Sequence, residues 1–458
     1  MSAANEAAPR ELPRGLNLWD TTLLVLGLVI GGGIFLTPTS IAKALPTEGA
    51  ILAVWVIGGL LTVWGGFVYA EMGAMLPKAG GMYVYFREAF GALPAFLYAW
   101  VAYWIIITGA DAAVAVGAAE YLSVFFPALS TTRVVLVLGP FSISAGQLVA
   151  VALTLVLSAT HYVGVRQGAR IQGVFTSLIV LALLWLAVGG LIVRAPPAVA
   201  PAAAMSPPVG IAGFGTAMVA VFWCFYGWNE IVAVSEEVAR PARNLPLALL
   251  VGTGLVTLLY VLVNVAFLRA IPATEMVTVA HPAEVASTRL FGGPAAVFVS
   301  LAVTAAAVGC TSAGLVPAPR IAFALARDGL FPKAFARTHP RFRTPSFAIV
   351  VQAIWMSLLC LSGRYDQLYT YATFAVVLAY AGTGIALFLF RRRRPELPRP
   401  YRCWGYPVVP FLFVVTSILL AVNTVREQPR ETLAGLAILV LGLPFYLSMR
   451  RRNPEMVR

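Results

Sequence analysis

Charge is scarce in this 458-residue chain: 11% of its residues are Asp, Glu, Lys or Arg, while 60% are hydrophobic. A soluble domain carries roughly 25% charged residues because its surface faces water. Most of this surface must therefore face something else. Cysteine is scarce as well. Cys224, Cys310, Cys360 and Cys403 are scattered, three in apolar runs and one in a basic stretch. That spacing excludes a disulfide framework and a cysteine-based metal site. His161, His281 and His339 are expected in loops and lack metal-ligand spacing. No glycine-rich phosphate loop with its lysine is present, which excludes ATP as the driving ligand. No Ser/His/Asp arrangement stands out. The chain therefore reads as a non-enzyme with no cofactor and no metal. The short alternating segments of a membrane β-barrel are missing too.

What the chain has instead is a succession of apolar runs of about 20 residues, each long enough to cross roughly 30 Å of hydrocarbon. Lipid offers no hydrogen bonds to the backbone, so each run is a helix. The runs predict about twelve helices, near 21–45, 50–76, 91–126, 140–163, 168–193, 211–235, 245–270, 288–325, 346–362, 366–390, 405–425 and 430–449. An even number places both termini on one side. Most of the 32 Lys and Arg gather there, in clusters such as Arg391 to Arg394 and Arg450 to Arg452. Basic loops stay in the cytoplasm, so both termini are expected there, in a multi-pass protein of the inner (plasma) membrane. The net charge of +13 is then topology, and a nucleic-acid partner is excluded.

Residues 1–16 read as an N-terminal tail and 451–458 as a C-terminal tail, both cytoplasmic. Residues 17–450 read as a single transmembrane domain, with helices 1–5 over 21–193, helices 6–10 over 211–390 and helices 11–12 over 405–449. The Pro- and Ala-rich stretch 195–209 suits an irregular outer loop. Segments 3 and 8 exceed what a bilayer needs, which predicts tilt.

Two apolar segments are interrupted. Segment 1 contains Ile30-Gly31-Gly32-Gly33-Ile34-Phe35, and segment 6 contains Trp223-Cys224-Phe225-Tyr226-Gly227-Trp228-Asn229. Each glycine costs a helix roughly 1 kcal/mol against alanine. Close helix packing through small residues is one reading. The other is an unwound point, where free N–H groups bind a carboxylate and free carbonyls bind an ammonium. The two segments lie five apart, as two inverted five-helix halves require.

Further stretches accompany these: Tyr69-Ala70-Glu71-Met72-Gly73 with Gly80-Gly81, Glu236-Glu237-Val238 with Arg243-Asn244-Leu245-Pro246, Ala326-Arg327-Asp328-Gly329, and Arg399-Pro400-Tyr401. In order, over 18–450, they make the chain resemble the amino acid–polyamine–organocation transporters, and within them the bacterial L-type amino acid transporter group. The resemblance implies an all-α, LeuT-like fold: a five-plus-five inverted repeat, helices 1 and 6 broken, and two more C-terminal helices. It also implies a site for an L-amino acid between the breaks. Its carboxylate would meet N–H groups of Gly31, Gly32 and Gly33, and its ammonium the carbonyls near Val29, Trp223 and Tyr226. Ile30, Cys224, Phe225 and Gly227 complete that implied site, and Trp223 falls where the family often carries an aromatic lid.

Three positions depart from the group. Ile179 stands where many members carry a lysine after the segment-5 Gln and Thr, here Gln172 and Thr176. Without that charge, segment-1 carbonyls with the Thr311 and Ser312 hydroxyls offer hard oxygen ligands for sodium. Proton coupling, or no coupling, is equally open, and so is simple packing of Ile179. Asp111 lies deep in segment 3, and a buried carboxylate there needs a partner or a role. It binds a cationic passenger, carries a proton, or is hydrogen-bonded structurally. Tyr226 replaces a frequent glycine and shrinks the side-chain pocket. Glu71, Glu236 and Glu237 could form inner gate pairs with Arg87, Arg243 and Arg327. Glu230 is given no role, and Asn264 is read as an interhelical hydrogen bond. Animal members of the L-type group join a glycoprotein through a cysteine in the loop after segment 3. Residues 127–140 contain none, so no disulfide-linked heavy chain is expected. The residues therefore read as a secondary carrier that exchanges small neutral L-amino acids by alternating access. A cationic amino acid or polyamine carrier, and proton- or sodium-coupled uptake, are the alternatives.

Overall fold

Asn17 starts the first membrane segment. Its side chain accepts the Asp20 N–H at 2.9 Å, while the Asp20 carboxylate accepts the Asn17 N–H at 3.1 Å. That reciprocal cap satisfies two helix-end donors at once. Helix α1 (Leu18–Val29) then stops where the three glycines begin, and α2 (Gly33–Ala44) restarts beyond them. The computed structural model describes residues 12–138, 141–193, 210–279, 281–362, 365–427 and 429–452.

The chain continues through α3 (Glu48–Met75), a short α4 (Met82–Phe90), α5 (Ala92–Val101) and α6 (Ile107–Phe125). Then come α7 (Ala145–Val163), α8 (Val165–Ile192), α9 (Ile211–Cys224), a 3-10 stretch (Trp228–Glu237) and α10 (Pro241–Ala270). The remainder is α11 (Ala273–Met276), α12 (Pro282–Phe291), α13 (Pro294–Gly314), α14 (Pro317–Arg327), α15 (Ser346–Ser362), α16 (Tyr365–Arg393), α17 (Val408–Glu427) and α18 (Pro429–Arg452). Among the described residues, nine helical stretches are long and apolar enough to cross a membrane, and α1 and α15 are shorter apolar helices. The protein is an all-α multi-pass membrane protein.

Small residues let its helices approach. The Thr257 hydroxyl donates to the Gly59 carbonyl at 3.3 Å, joining α10 to α3. Seven residues further along α3, a Cβ on Gly66 would lie 3.0 Å from Thr253 Oγ1. Without water to drive association, such close packing is what holds membrane helices together. Helix α1 is tied to α8, where the Gln172 amide donates to the Leu23 carbonyl at 2.9 Å.

Several expectations need correction. Segment 3 contains a π turn (Ala102–Ile106) between α5 and α6, and the Thr108 hydroxyl donates back to the Tyr103 carbonyl at 2.9 Å. The added residue rotates the phase of α6. Segment 4 does not start at 140. A β-hairpin, β1 (Val134–Leu138) with β2 (Phe141–Ser144), occupies that stretch, and α7 begins after the Ser144 cap. A short apolar run does not reveal its own period. Segment 8 is long because it is three helices, α12 to α14, with Pro282, Pro294 and Pro317 in their opening turns. Proline fits there because its missing N–H is not needed.

His161 is not in a loop. It is buried in α7, with Nε2 3.0 Å from the Ser312 hydroxyl of α13. Asn264 makes no bridge between helices among the described residues; its amide donates to the Tyr260 carbonyl of its own helix at 2.8 Å. The end of the expected N-terminal tail is docked: Leu12 and Leu16 are buried, and the Gly15 and Leu16 N–H groups donate to the Glu237 carbonyl. Helix α18 continues to Arg452, two residues into the expected C-terminal tail. The stretch 195–209, residues 1–11 and residues 453–458 lie outside the described residues.

Candidate functional site

The site is built where two broken segments touch. Beyond Val29 the Gly31 N–H turns back to the Val29 carbonyl at 3.0 Å. The next N–H groups open α2, and the first donors of a helix have no partner within it. They form the positive end of that half-helix, suited to a carboxylate. On the other segment α9 ends at Cys224, and Gly227 adopts φ 110° before the 3-10 stretch begins. Only glycine takes that backbone shape without strain. Space demands glycine as well, since a Cβ at 227 would lie 2.2 Å from the Leu28 carbonyl oxygen. The breaks are clasped side by side, with Thr37 Oγ1 and Cys224 Sγ 3.0 Å apart.

Between them lies a small cavity. Leu28, Val29, Gly31, Gly32 and Gly33 line one side, and Trp223, Cys224, Tyr226, Gly227 and Glu230 another. Helix α6 contributes Ile107, Ala110, Asp111 and Val114, and α13 contributes Cys310 and Gly314. The rings of Trp223 and Tyr226 stack parallel, 5.8 Å between centroids. The Tyr226 hydroxyl donates to Glu230 Oε1 at 3.4 Å, and the Asn229 amide donates to the same oxygen at 3.0 Å. Asp111 is 7% exposed, and its Oδ2 has no hydrogen-bond partner among the described residues. None of the lining residues is basic.

Nine expected site residues therefore share one cavity: Val29, Gly31, Gly32, Gly33, Asp111, Trp223, Cys224, Tyr226 and Gly227. Ile30 and Phe225 lie behind it, each 1% exposed, with Phe225 packed on Trp55 and Tyr260. Two of the carbonyls expected to hold an ammonium are already engaged. The Val29 carbonyl accepts the Tyr260 hydroxyl at 3.2 Å, and the Trp223 carbonyl accepts the Tyr226 N–H at 3.1 Å. Ile179, Thr311 and Ser312 do not line the cavity. Ile179 is buried in the core, the Thr311 hydroxyl donates to the Ala307 carbonyl at 2.8 Å, and Ser312 faces His161.

Glu230 is the residue the sequence reading missed. A signal for it exists: it follows Gly227 by three residues, and in a 3-10 turn residues three apart share a face. Its N–H bonds the Gly227 carbonyl at 2.9 Å, which fixes that turn.

Away from the cavity, carboxylates are paired: Glu236 with Arg327, within the expected set, and the others with different partners. Arg320 holds Glu237 through Nε at 2.7 Å and Nη2 at 3.2 Å, with both side chains buried. Arg327 grips Glu236 at 3.0 and 3.1 Å, and Glu236 also accepts the Leu12 and Ala79 N–H groups. Glu71 pairs with Arg391 at 2.6 Å and with Arg399 at 3.5 Å, rather than with Arg87, Arg243 or Arg327. Arg87 pairs with Asp328.

A membrane-embedded cavity between two broken helices, with backbone donors at one end and ion pairs beyond it, defines a carrier for a small polar molecule. The amino acid permease family model matches residues 16–443, and the chain belongs to that family: it is a transporter, not an enzyme. Similar proteins include the human b(0,+)-type amino acid transporter 1, 28% identical over 97% of this chain and 89% of that protein. The serine/threonine exchanger SteT of Bacillus subtilis (strain 168) is 29% identical over 96% and 98%. The mouse Asc-type amino acid transporter 1 is 30% identical over 95% and 81%.

Proposed function

We propose that this permease exchanges small neutral L-amino acids across the inner membrane by alternating access. The observation that carries the reading is the meeting of the two breaks: the glycine-opened α2 faces Tyr226 and Trp223 across one cavity. The amino acid's carboxylate sits against the first N–H groups of α2. Its ammonium sits against carbonyls the two breaks leave uncommitted, and the Tyr226 ring keeps its side chain small. Three similar proteins bear the names of amino acid carriers, one of them of a serine/threonine exchanger, which supports both the passenger class and exchange.

In this reading residues 17–450 form one transporter domain of about twelve crossings. Both termini are cytoplasmic by the distribution of Lys and Arg, and no heavy chain is attached by a disulfide. Rocking of the broken segments against the remaining helices exposes the cavity to each side in turn. Ile179 packs in the core, and exchange is read as needing no sodium. A second reading, a cationic passenger, is favoured by Asp111 Oδ2, which has no hydrogen-bond partner among the described residues.

The test uses purified protein in liposomes, with labelled alanine outside and no sodium or pH gradient. Alanine enters liposomes loaded with alanine or serine and stays out of empty ones. Uptake into empty liposomes, or uptake that begins only with sodium or a proton gradient, would overturn exchange.

A further inference from the structure

We propose that Tyr380 is a positioning residue for the cavity: acting through Asn229, its hydroxyl fixes Glu230 and Tyr226 and so helps set how large a side chain the carrier accepts. This rests on the reading that the Tyr226 ring limits the passenger.

Tyr226 depends on side chains because the backbone gives it little support. Helix α9 ends at Cys224, and the 3-10 stretch starts only at Trp228. The residues between them form a turn. The ring is held by its stack on Trp223 and by the bond from its hydroxyl to Glu230 Oε1, which is long at 3.4 Å. So long a bond survives only if Glu230 stays in place. Glu230 is held from behind, where the Asn229 amide donates to the same Oε1 at 3.0 Å. Asn229 is itself 1% exposed and bonded at both ends of its amide. Its Oδ1 accepts the hydroxyl of Tyr380 on α16 at 2.7 Å, and its Nδ2 also reaches Met82 Sδ at 3.4 Å. Neither Asn229 nor Tyr380 lines the cavity.

The Tyr380 hydroxyl selects the way that amide faces. Turned over, the amide would set its oxygen against Glu230 Oε1, an acceptor facing an acceptor. A donor at Tyr380 favours the orientation that gives Glu230 an N–H. The ring that carries this donor is held by packing, with centroids 5.4 Å from Trp228, 5.9 Å from Phe413 and 6.1 Å from Tyr69. One line of contacts therefore runs from α16 through a buried amide to two residues of the cavity wall.

The test uses the same liposomes, loaded with unlabelled alanine, and compares the KM of alanine with that of leucine. Tyr380→Phe keeps the ring and its packing and removes only the donor. The ratio of the two KM values shifts toward leucine by about fivefold, on the scale of one hydrogen bond. A folding defect would lower the maximal rate for both passengers alike and leave that ratio where it was. In a Tyr226→Gly background the same replacement moves the ratio no further, because the ring it acts through is gone. The inference is overturned if Tyr380→Phe leaves the ratio at the parent value, or if it shifts the ratio equally with and without the Tyr226 ring. A parent protein that exchanges neither alanine nor leucine would overturn the small-neutral reading and this inference with it. Alanine exchange by the parent, with an unmoved ratio in the variant, would overturn the inference alone.

Discussion

Two buried regions of this carrier treat charge in opposite ways. Beyond the cavity, Glu237 is clasped by Arg320 at 2.7 Å, both side chains almost wholly buried. Inside the cavity, among the described residues, Asp111 has an oxygen with no partner and Glu230 has no arginine. A buried carboxylate without compensation is destabilising by several kcal/mol. The first region answers that cost within the chain. The second leaves it for something that comes and goes. Paired charges hold a conformation, and unpaired ones mark where a ligand changes the balance.

The largest expected effect is at the junction between the two breaks. Gly227→Ala puts a methyl group 2.2 Å from the Leu28 carbonyl oxygen, on a backbone at φ 110°. The obstacle is backbone, so α1 must move away from the second break. Exchange in liposomes should fall below detection. The left-handed strain adds about 1–2 kcal/mol of instability, readable as a lower unfolding temperature in detergent. Alanine exchange at the parent rate would show that the close contact of the breaks is not required.

Next comes the paired region. Glu237→Gln leaves Arg320 buried beside a neutral amide, and breaking one side of a buried pair costs about 3–5 kcal/mol. Replacing both partners together, Glu237→Leu with Arg320→Met, should recover much of that loss, because no lone charge remains. Thermal unfolding of the single and double variants decides it. Equal losses would mean that packing, rather than charge, holds the two elements together.

A smaller effect sharpens the cavity side of the comparison. Tyr226→Gly removes the ring stacked on Trp223 and the hydroxyl that donates to Glu230. The ratio of KM values for leucine and alanine should shift toward leucine by about tenfold or more, since apolar groups in a pocket discriminate on that scale. An unchanged ratio would place the side-chain pocket elsewhere.

The sequence made the cavity half of this comparison legible and hid most of the paired half. Three adjacent glycines and Gly227 announce breaks because their backbone preferences are local. Asp111 stands out because its neighbours are apolar. Glu230 escapes because its spacing from Gly227 is ordinary, and only the fold shows that this face of the 3-10 stretch lines the cavity. The pairing of Glu71 with Arg391 spans most of the chain, and no local pattern chooses that arginine over Arg87 or Arg327. The π turn in segment 3 is equally silent, because one inserted residue leaves an apolar run apolar.

The smallest effect concerns a pair that should behave unlike either buried region. Arg289 of α12 bonds Glu275 of α11, with Nη1 to Oε2 at 2.8 Å, and both side chains are about one-third exposed. That hydrogen bond holds the Glu275 carboxyl below its usual range. A carboxylate with a depressed folded pKa contributes stability above its unfolded value, near about 4.3, and loses it as pH falls through the lower folded value. Water and salt screen so exposed a pair, so its contribution stays below about 1 kcal/mol. Glu275→Gln should therefore unfold at a slightly lower temperature than the parent above about pH 5, and the gap should close as the solution is acidified further. High salt should narrow the gap at neutral pH, whereas the loss in Glu237→Gln should persist, because a buried pair is screened far less. A salt-insensitive gap at Glu275 would mean that this outer pair, too, is held by packing.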